Sequence, residues 1–356
     1  MSIISPNPCW QRPTRFAVWV TATLSLVCTV TGIQPAAAQD TQATAIQFSL
    51  DRALDASAAP FVLASARGLF RAENVAVTTT IATGPQDAVD RVVSGSSDLA
   101  LVDLNVLIRF RDKAGAPPVK AVFVLFNKAP YAIIARKSRG VSALFDLEGK
   151  TLGVAEGDFS IWYWPALAHQ NGIKIASVKQ ARFSPAVREP MLAAGQVDAV
   201  NGFSYLAAVN VKDRGVPADD LTVLRYADYG CEAYGFVVIV NPAFAAAKPD
   251  AVKGFLRAVI AGTRLAAKNP ARAVDDVLTL MEGGSRELEL ARLHIVLRDN
   301  ILTDDVKRNG IGGIDAARFA RSVDQLAEDG KFRAKPALAD IFDDSFLPAA
   351  GARLIH

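Results

Sequence analysis

The chain has 356 residues, 51% of them hydrophobic, and its 39 basic and 36 acidic side chains leave a formal net charge of +3. A charge so near balance, with no run of one sign, excludes a nucleic-acid binder built on a basic groove, and the length suits two lobes with sizeable cores. Three widely spaced histidines (His169, His294 and His356) exclude a histidine-built metal site.

The first segment carries Arg12 and Arg15 and no acid, then an apolar run from Phe16 to Ile33, then Ala36, Ala37 and Ala38. A basic start, an apolar middle and an A-x-A site predict a signal peptide over 1–38, cleaved on export through a membrane. The run is short for a membrane span and is diluted by threonines. Cleavage also removes Cys9 and Cys28, leaving Cys231 alone, so no intramolecular disulfide is expected.

Beyond it, apolar β-rich runs alternate with helical patterns. Residues 45–50 read as a strand. "SAAPFVLASARGLF" reads as a helix with Ser57 as its cap, Pro60 in its first turn and Gly68 at its end. "VAVTTTIAT", "DLALVD" and "VKAVFVLF" read as strands, with helices in "PQDAVDRVVSG" and "NVLIRFRDKAG" between them. This rhythm predicts an α/β fold with mostly parallel sheets flanked by helices. A second unit repeats it. "YAIIARK", "KTLGVAEGD", "IKIASVKQARF", "VDAVNGF", "LTVLRYADYG" and "YGFVVIVN" read as strands, and "PALAHQNG" and "PAVREPMLAAG" as helices. From Pro249 onward the pattern is nearly all helical, with Val252, Phe255, Leu256, Val259 and Ile260 on one face and Pro270 at the end of the first helix.

Residues 92–108 align with 191–207, Gly95 on Gly195 and Asp98 on Asp198. Two readings fit: an internal duplication, or two ordinary βα units. Either places loops at the carboxyl ends of strands, where open α/β sheets bind ligands.

One of those loops is "GDFSIWYWP" (157–165), which holds Trp162, Tyr163 and Trp164. Residues two apart on a helix point different ways, so the two tryptophans do not share one core face. Pro165 disfavours a helix already running through Trp164. A loop or first turn presenting aromatics into a cleft is expected. All six tyrosines (Tyr131, Tyr163, Tyr205, Tyr226, Tyr229 and Tyr234) lie between 131 and 234. The charges near the expected cleft are mainly acidic, namely Asp51, Asp55, Asp103, Glu156, Asp158, Asp228 and Glu232, with Arg52 the exception. Such a lining disfavours a lone anion and suits amino groups on an aromatic ring. Asp55 and Asp158 read equally as helix caps. Cys231 reads as a small, half-buried residue.

"LDRALDASAAPFVLASARGLFRAENVAV", "SGSSDLALVD", "LEGKTLGVAEGD", "AAGQVDAV", "YADYGCEAYGFVVIVNP" and "FLRAVIAGTRLAAKNPARAV", in that order, resemble periplasmic solute-binding proteins of ABC transporters. The likeness spans roughly residues 45–300 and is nearest to the branch that binds thiamine pyrimidine precursors. Its relatives bind sulfonates, taurine, nitrate or riboflavin. That branch usually has an aromatic after the first-strand Asp, where this chain has Arg52. The resemblance implies a two-lobed periplasmic-binding-protein fold of type II, joined by two hinge strands near 127–131 and 228–236. Lobe 1 is expected over 45–128 plus 236–348, and lobe 2 over 129–235. It further implies a periplasmic monomer that passes a nitrogen-containing aromatic solute to a membrane permease, without cofactor, metal, nucleic-acid partner or enzymatic activity. In this reading Trp162 or Trp164 stacks the ring, and Asp51 and Asp158 accept from its N–H groups. Asn105, Ser160, Tyr205 and Tyr234 add hydrogen bonds, and Arg52, Pro60, Gly84, Gln86, Phe203 and Asp228 complete the lining. The alternatives are a sulfonate, taurine or nitrate-type anion, and a pyrimidine-synthase-like enzyme on the same fold. The synthases of that fold are cytosolic and carry a cysteine-rich motif.

Overall fold

In the computed structural model, residues 43–355 are described, and they belong to one compact unit, Thr41–His356. The expected signal peptide, with its two tryptophans and two cysteines, lies outside the described residues.

The strands are β1 (Thr44–Leu50), β2 (Val75–Ile81), β3 (Leu99–Asp103), β4 (Lys120–Val124), β5 (Tyr131–Arg136), β6 (Thr151–Ala155), β7 (Lys179–Phe183), β8 (Ala199–Phe203), β9 (Leu221–Arg225) and β10 (Phe236–Val240). The helices that position the site are α1 (Ala59–Ala66), α2 (Leu69–Ala72), α3 (Pro85–Ser94), α4 (Leu104–Arg111), α5 (Trp164–Gln170), α6 (Arg188–Ala193), α7 (Ser204–Asp213), α8 (Pro242–Ala247) and α9 (Pro249–Lys268). Further helices follow to the C-terminus, among them Ala316–Ala327.

Sheet one runs β2-β1-β3-β10-β4 and sheet two β7-β6-β8-β5-β9. The two follow one plan. Three parallel strands come first, then a strand antiparallel to both of its neighbours. Parallel strands covered on both faces read as unbroken apolar runs, as in β3, all five residues of which are buried. The chain passes between the sheets twice, after β4 and after β9. The two passages pair with each other, Gly235 N–H donating to the Phe126 carbonyl at 2.9 Å and Ala129 N–H to the Ala233 carbonyl at 3.0 Å.

The aligned segments occupy equivalent places. Gly95 and Gly195 both end a helix in the left-handed region, at φ 78° and 70°, where glycine carries no steric cost. Asp98 then accepts from the Gln47 N–H at 2.7 Å, and Asp198 from the Thr151 N–H at 2.8 Å. Each aspartate thus ties the start of the third strand to the strand beside it.

Under sheet one, Phe48 meets Phe61 at 4.8 Å and Phe255 at 5.2 Å between centroids, and Phe70 stacks on Phe255 at 5.1 Å. The α9 face foreseen from its spacing is the buried one. Burying each such ring contributes roughly 1.5–3 kcal/mol.

Four local expectations are corrected. Ser57 does not cap α1, which has no side-chain cap; the Asp55 side chain, accepting from the Ser57 N–H at 2.7 Å, caps the 3-10 turn Ala56–Ala58 that leads into it. The strand foreseen over 173–183 is only β7, because Ile175–Ser177 makes a 3-10 turn. β9 stops at Arg225, where Tyr226–Tyr229 turns. Pro270 does not simply stop α9; Asn269 caps a following helix that Pro270 opens.

Candidate functional site

The carboxyl ends of β1, β2 and β3 face those of β6, β7 and β8 across a closed, aromatic interior. Tyr131 stacks on Phe203 at 6.0 Å and 23°, and Phe203 on Tyr205 at 6.1 Å and 21°. Phe236 meets Phe203 edge-on at 5.9 Å. These rings come from both sheets, so the stack joins the lobes.

Polar groups thread this interior. Asn105, fully buried at the head of α4, donates through Nδ2 to Asp103 Oδ1 (2.9 Å), Tyr131 Oη (2.7 Å) and the Tyr234 carbonyl (3.0 Å). Two N–H groups thus serve three acceptors. Its Oδ1 accepts from Tyr163 Oη at 2.6 Å, which also meets Ser322 Oγ at 2.9 Å. Tyr131 Oη donates to Asp103 at 2.8 Å. A second cluster centres on Asn201, in the middle of β8. Asn201 Nδ2 donates to Asp158 Oδ2 (3.1 Å) and Ser160 Oγ (2.6 Å), Ser160 Oγ donates to Asp158 Oδ1 (2.5 Å), and Tyr226 Oη donates to Asn201 Oδ1.

Burial pushes the Asp103 carboxyl up to about 6, against hydrogen bonds from Tyr131 and Asn105 and the charge of Arg52, which pull it down. Its value when unfolded is about 3.9. An acid with a raised folded pKa contributes its full stability below about pH 4 and loses it as pH rises through about 6. Asp103→Asn is therefore expected to flatten part of the pH profile. Wild-type stability minus variant stability should fall by roughly 2 kcal/mol between pH 4 and pH 7, measured by urea unfolding. A difference that stays constant or rises over that range would contradict this charge state.

The expected site residues divide by place. Asp51, Arg52, Phe203 and Tyr205 come together, Arg52 lying 4.9 Å from the Phe203 centroid. Asp158 and Ser160 meet each other, and Asp158 also caps the turn Phe159–Tyr163. Gln86 and Trp162 line one pocket of about 540 Å³ with Arg109, Lys113, Lys331 and Arg333. Gly84 precedes α3 with open space where a side chain would project. Four residues sit elsewhere. Trp164 is 1% exposed and packs in the core, and Pro60 is buried in the first turn of α1. Asp228 is exposed and pairs with Arg225 at 2.7 Å. Tyr234 accepts from the Asp315 N–H at 2.9 Å, under the Arg318 guanidinium at 3.9 Å. Pro165 is the second residue of α5, so the helix does begin at Trp164. Trp162 lies in the 3-10 turn Phe159–Tyr163 and Trp164 opens α5, and only Trp164 packs in the core.

The charge balance is also corrected. Four cations line the Trp162 pocket, and both of its acids are engaged. Asp329 pairs with Arg109 at 2.6 Å, and Asp112 accepts the Arg333 and Ala334 N–H groups at 2.8 and 2.7 Å. Arg109 also lies 5.6 Å from the Trp162 ring. Sequence reasoning missed Arg109 because it sits in an ordinary-looking helix. It missed Lys331 and Arg333 because they arrive from a segment more than 200 residues away. The Cys231 thiol is pushed up to about 12, chiefly by burial, and stays protonated. No group of three or more histidine, cysteine, aspartate or glutamate side chains suits a metal ion among the described residues. None of their helices is long and apolar enough to cross a membrane.

Two sheets of identical plan, meeting through their strand-end loops, define a protein of the periplasmic-binding-protein fold. The family model described as NMT1/THI5 like matches residues 55–273, and the chain belongs to that family. It is 26% identical over 227 residues to the 4-amino-5-hydroxymethyl-2-methylpyrimidine phosphate synthase of Schizosaccharomyces pombe, covering 62% of this chain and 64% of that protein. The chain thus spans just under two thirds of that relative. It is 25% identical over 302 residues to the riboflavin-binding protein RibY of Chloroflexus aurantiacus, covering 82% of each. The periplasmic aliphatic sulphonate-binding protein SsuA of Escherichia coli superposes with a TM-score of 0.66 at 16% identity, covering 86% of this chain and 94% of that one. That likeness establishes the fold. The expectation that the chain is not an enzyme is overturned by the relatives' names: the Schizosaccharomyces pombe protein and others at similar identity are named as a synthase.

Proposed function

We propose that the chain binds a small, flat, nitrogen-containing aromatic solute between its two sheets, as a periplasmic monomer that delivers it to the permease of an ABC importer. The lobes of this reading are residues 45–128 plus 236–348 and residues 129–235. The observation that carries it is the pairing of buried carboxylates with aromatic faces where the sheets meet. Asp51 is 2% exposed and lines a small pocket with Phe236, and its partner Arg52 lies over the Phe203 ring at 4.9 Å. A carboxylate accepts N–H donors, and a ring face stacks a planar ligand for about 0.5–1.5 kcal/mol beyond burial. The riboflavin bound by RibY and the aminopyrimidine in the synthases' name both support this chemistry. A second reading, an anion of the sulfonate, taurine or nitrate type, is favoured by the four cations around Trp162.

A thermal-shift panel separates the two. 4-Amino-5-hydroxymethyl-2-methylpyrimidine or riboflavin is expected to raise the melting temperature, with about 2.7 kcal/mol of stabilisation at a hundredfold over Kd. A shift with taurine or nitrate alone would reject the aromatic solute. Trp162 lines the cationic pocket and Trp164 does not, so a change in tryptophan emission that vanishes in Trp162→Phe and persists in Trp164→Phe is expected for an anion bound there.

A further inference from the structure

Arg52 occupies the place where a flat ligand would lie. Its guanidinium sits in the corner between two nearly perpendicular rings, 4.2 Å from the centroid of Phe236 and 4.9 Å from that of Phe203. Phe236 belongs to sheet one and Phe203 to sheet two. In the same plane, Arg52 Nε and Nη2 donate side by side to the two carboxylate oxygens of Asp51, at 2.8 and 2.9 Å. A planar cation with two parallel N–H donors therefore already fills an aromatic corner that ends in a buried carboxylate.

The surroundings are those of a ligand slot. Asp51, Arg52, Asp55, Ser57 and Phe236 enclose about 10 Å³, barely the space of one water. The fully buried Tyr205 ring stacks beside Phe203, and its hydroxyl lies in this cluster beside Ser57. All hydrogen bonds of Arg52 go to its sequence neighbour Asp51, and its side chain is 24% exposed, so a displaced guanidinium has a route to water.

We infer that Arg52 is a resident stand-in for the ligand, displaced when a planar amidine-type cation, such as an aminopyrimidinium, takes its place on Asp51 between Phe203 and Phe236. One bidentate, charge-assisted pair is exchanged for another, and the displaced guanidinium returns to water. Molecules lacking paired donors do not compete for Asp51, so the arginine sets specificity as well as affinity. The inference rests on the proposed reading of the ligand as flat and nitrogenous.

The test uses benzamidine and 4-amino-2-methylpyrimidine as probes, titrated calorimetrically into wild type, Arg52→Ala and Arg52→Met. Both variants are expected to bind benzamidine at least tenfold more tightly than wild type. Methylguanidine is expected to raise the melting temperature of Arg52→Ala and leave that of wild type unchanged. Equal or weaker benzamidine binding in the folded variants overturns the inference. For a variant that does not fold, wild type labelled with ¹⁵N-arginine decides. Saturating benzamidine is expected to remove the protection of the Arg52 Nε–H from exchange, and retained protection overturns the inference. Aminopyrimidine binding by wild type that disappears in both variants would overturn the stand-in and leave the proposed function standing. Tighter benzamidine binding, with no form binding the aminopyrimidine, would uphold the slot and overturn the proposed ligand.

Discussion

Asn105→Ala is expected to destabilise the fold by about 4 kcal/mol. The side chain makes four hydrogen bonds at full burial, to Asp103, Tyr131, the Tyr234 carbonyl and Tyr163. Each such bond contributes about 1 kcal/mol, and a buried group left without its partner costs about 1–3 kcal/mol. Tyr163 keeps Ser322 and Tyr131 keeps Asp103, so the loss stays below the sum of all four orphaned groups. The substitution also cuts the bond by which Tyr163, from the sheet-two side, reaches the head of α4. Urea unfolding reads the stability. A loss below about 1 kcal/mol would show the network to be peripheral. Asn105→Asp is the informative companion, because it keeps the shape but sets a second carboxylate beside Asp103.

The second large effect lies in the frame that carries Asp51. Gly262→Ala is expected to cost about 3 kcal/mol or more. A Cβ at Gly262 would stand 2.0 Å from the Pro60 carbonyl oxygen and 3.3 Å from the Ala64 nitrogen. Both neighbours are helix backbone, so α1 and α9 must move apart as rigid units. The loop after β1, with Asp51, Arg52 and Asp55, leads directly into α1, so a shifted α1 moves the aromatic corner as well. Thermal unfolding and benzamidine affinity should fall together. An unchanged melting temperature would mean that the helices do not meet this closely. Pro60, expected from the sequence to face the ligand, acts here through its carbonyl and its place in the first turn.

What the sequence disclosed and what it withheld follow from the range of the interactions. The strands and most helices were legible because burial imposes a period of 2 or 3.6 on neighbouring residues. The equivalence of Gly95 with Gly195 and Asp98 with Asp198 was legible because a left-handed helix end and the strand tie after it each need one particular residue. Trp162 and Trp164 were both expected at the cleft; that Trp164 turns into the core was not legible, because it depends on the helix beginning at Trp164. The placement of Arg109 was not legible: its partner Asp329 lies 220 positions away, and nothing local marks one arginine of α4 as facing a pocket. Asn105 was legible as a strand-end residue. That its hydrogen bonds go to the protein's own tyrosines was not, since that depends on β5 and the turn Phe159–Tyr163 arriving from the other sheet. Tyr234 failed as a cleft residue for the same reason, with Asp315 and Arg318 coming from the C-terminal helices to engage it.

The central claim is that Asp51, set among aromatic rings where the two sheets meet, holds a flat nitrogenous solute. Calorimetric titration of 4-amino-5-hydroxymethyl-2-methylpyrimidine into wild type and Asp51→Asn tests it most directly. The account predicts one site per chain in wild type and at least tenfold weaker binding in Asp51→Asn, the loss expected for hydrogen bonds to a charged group. Absence of binding to wild type, or equal binding by both proteins, would contradict it.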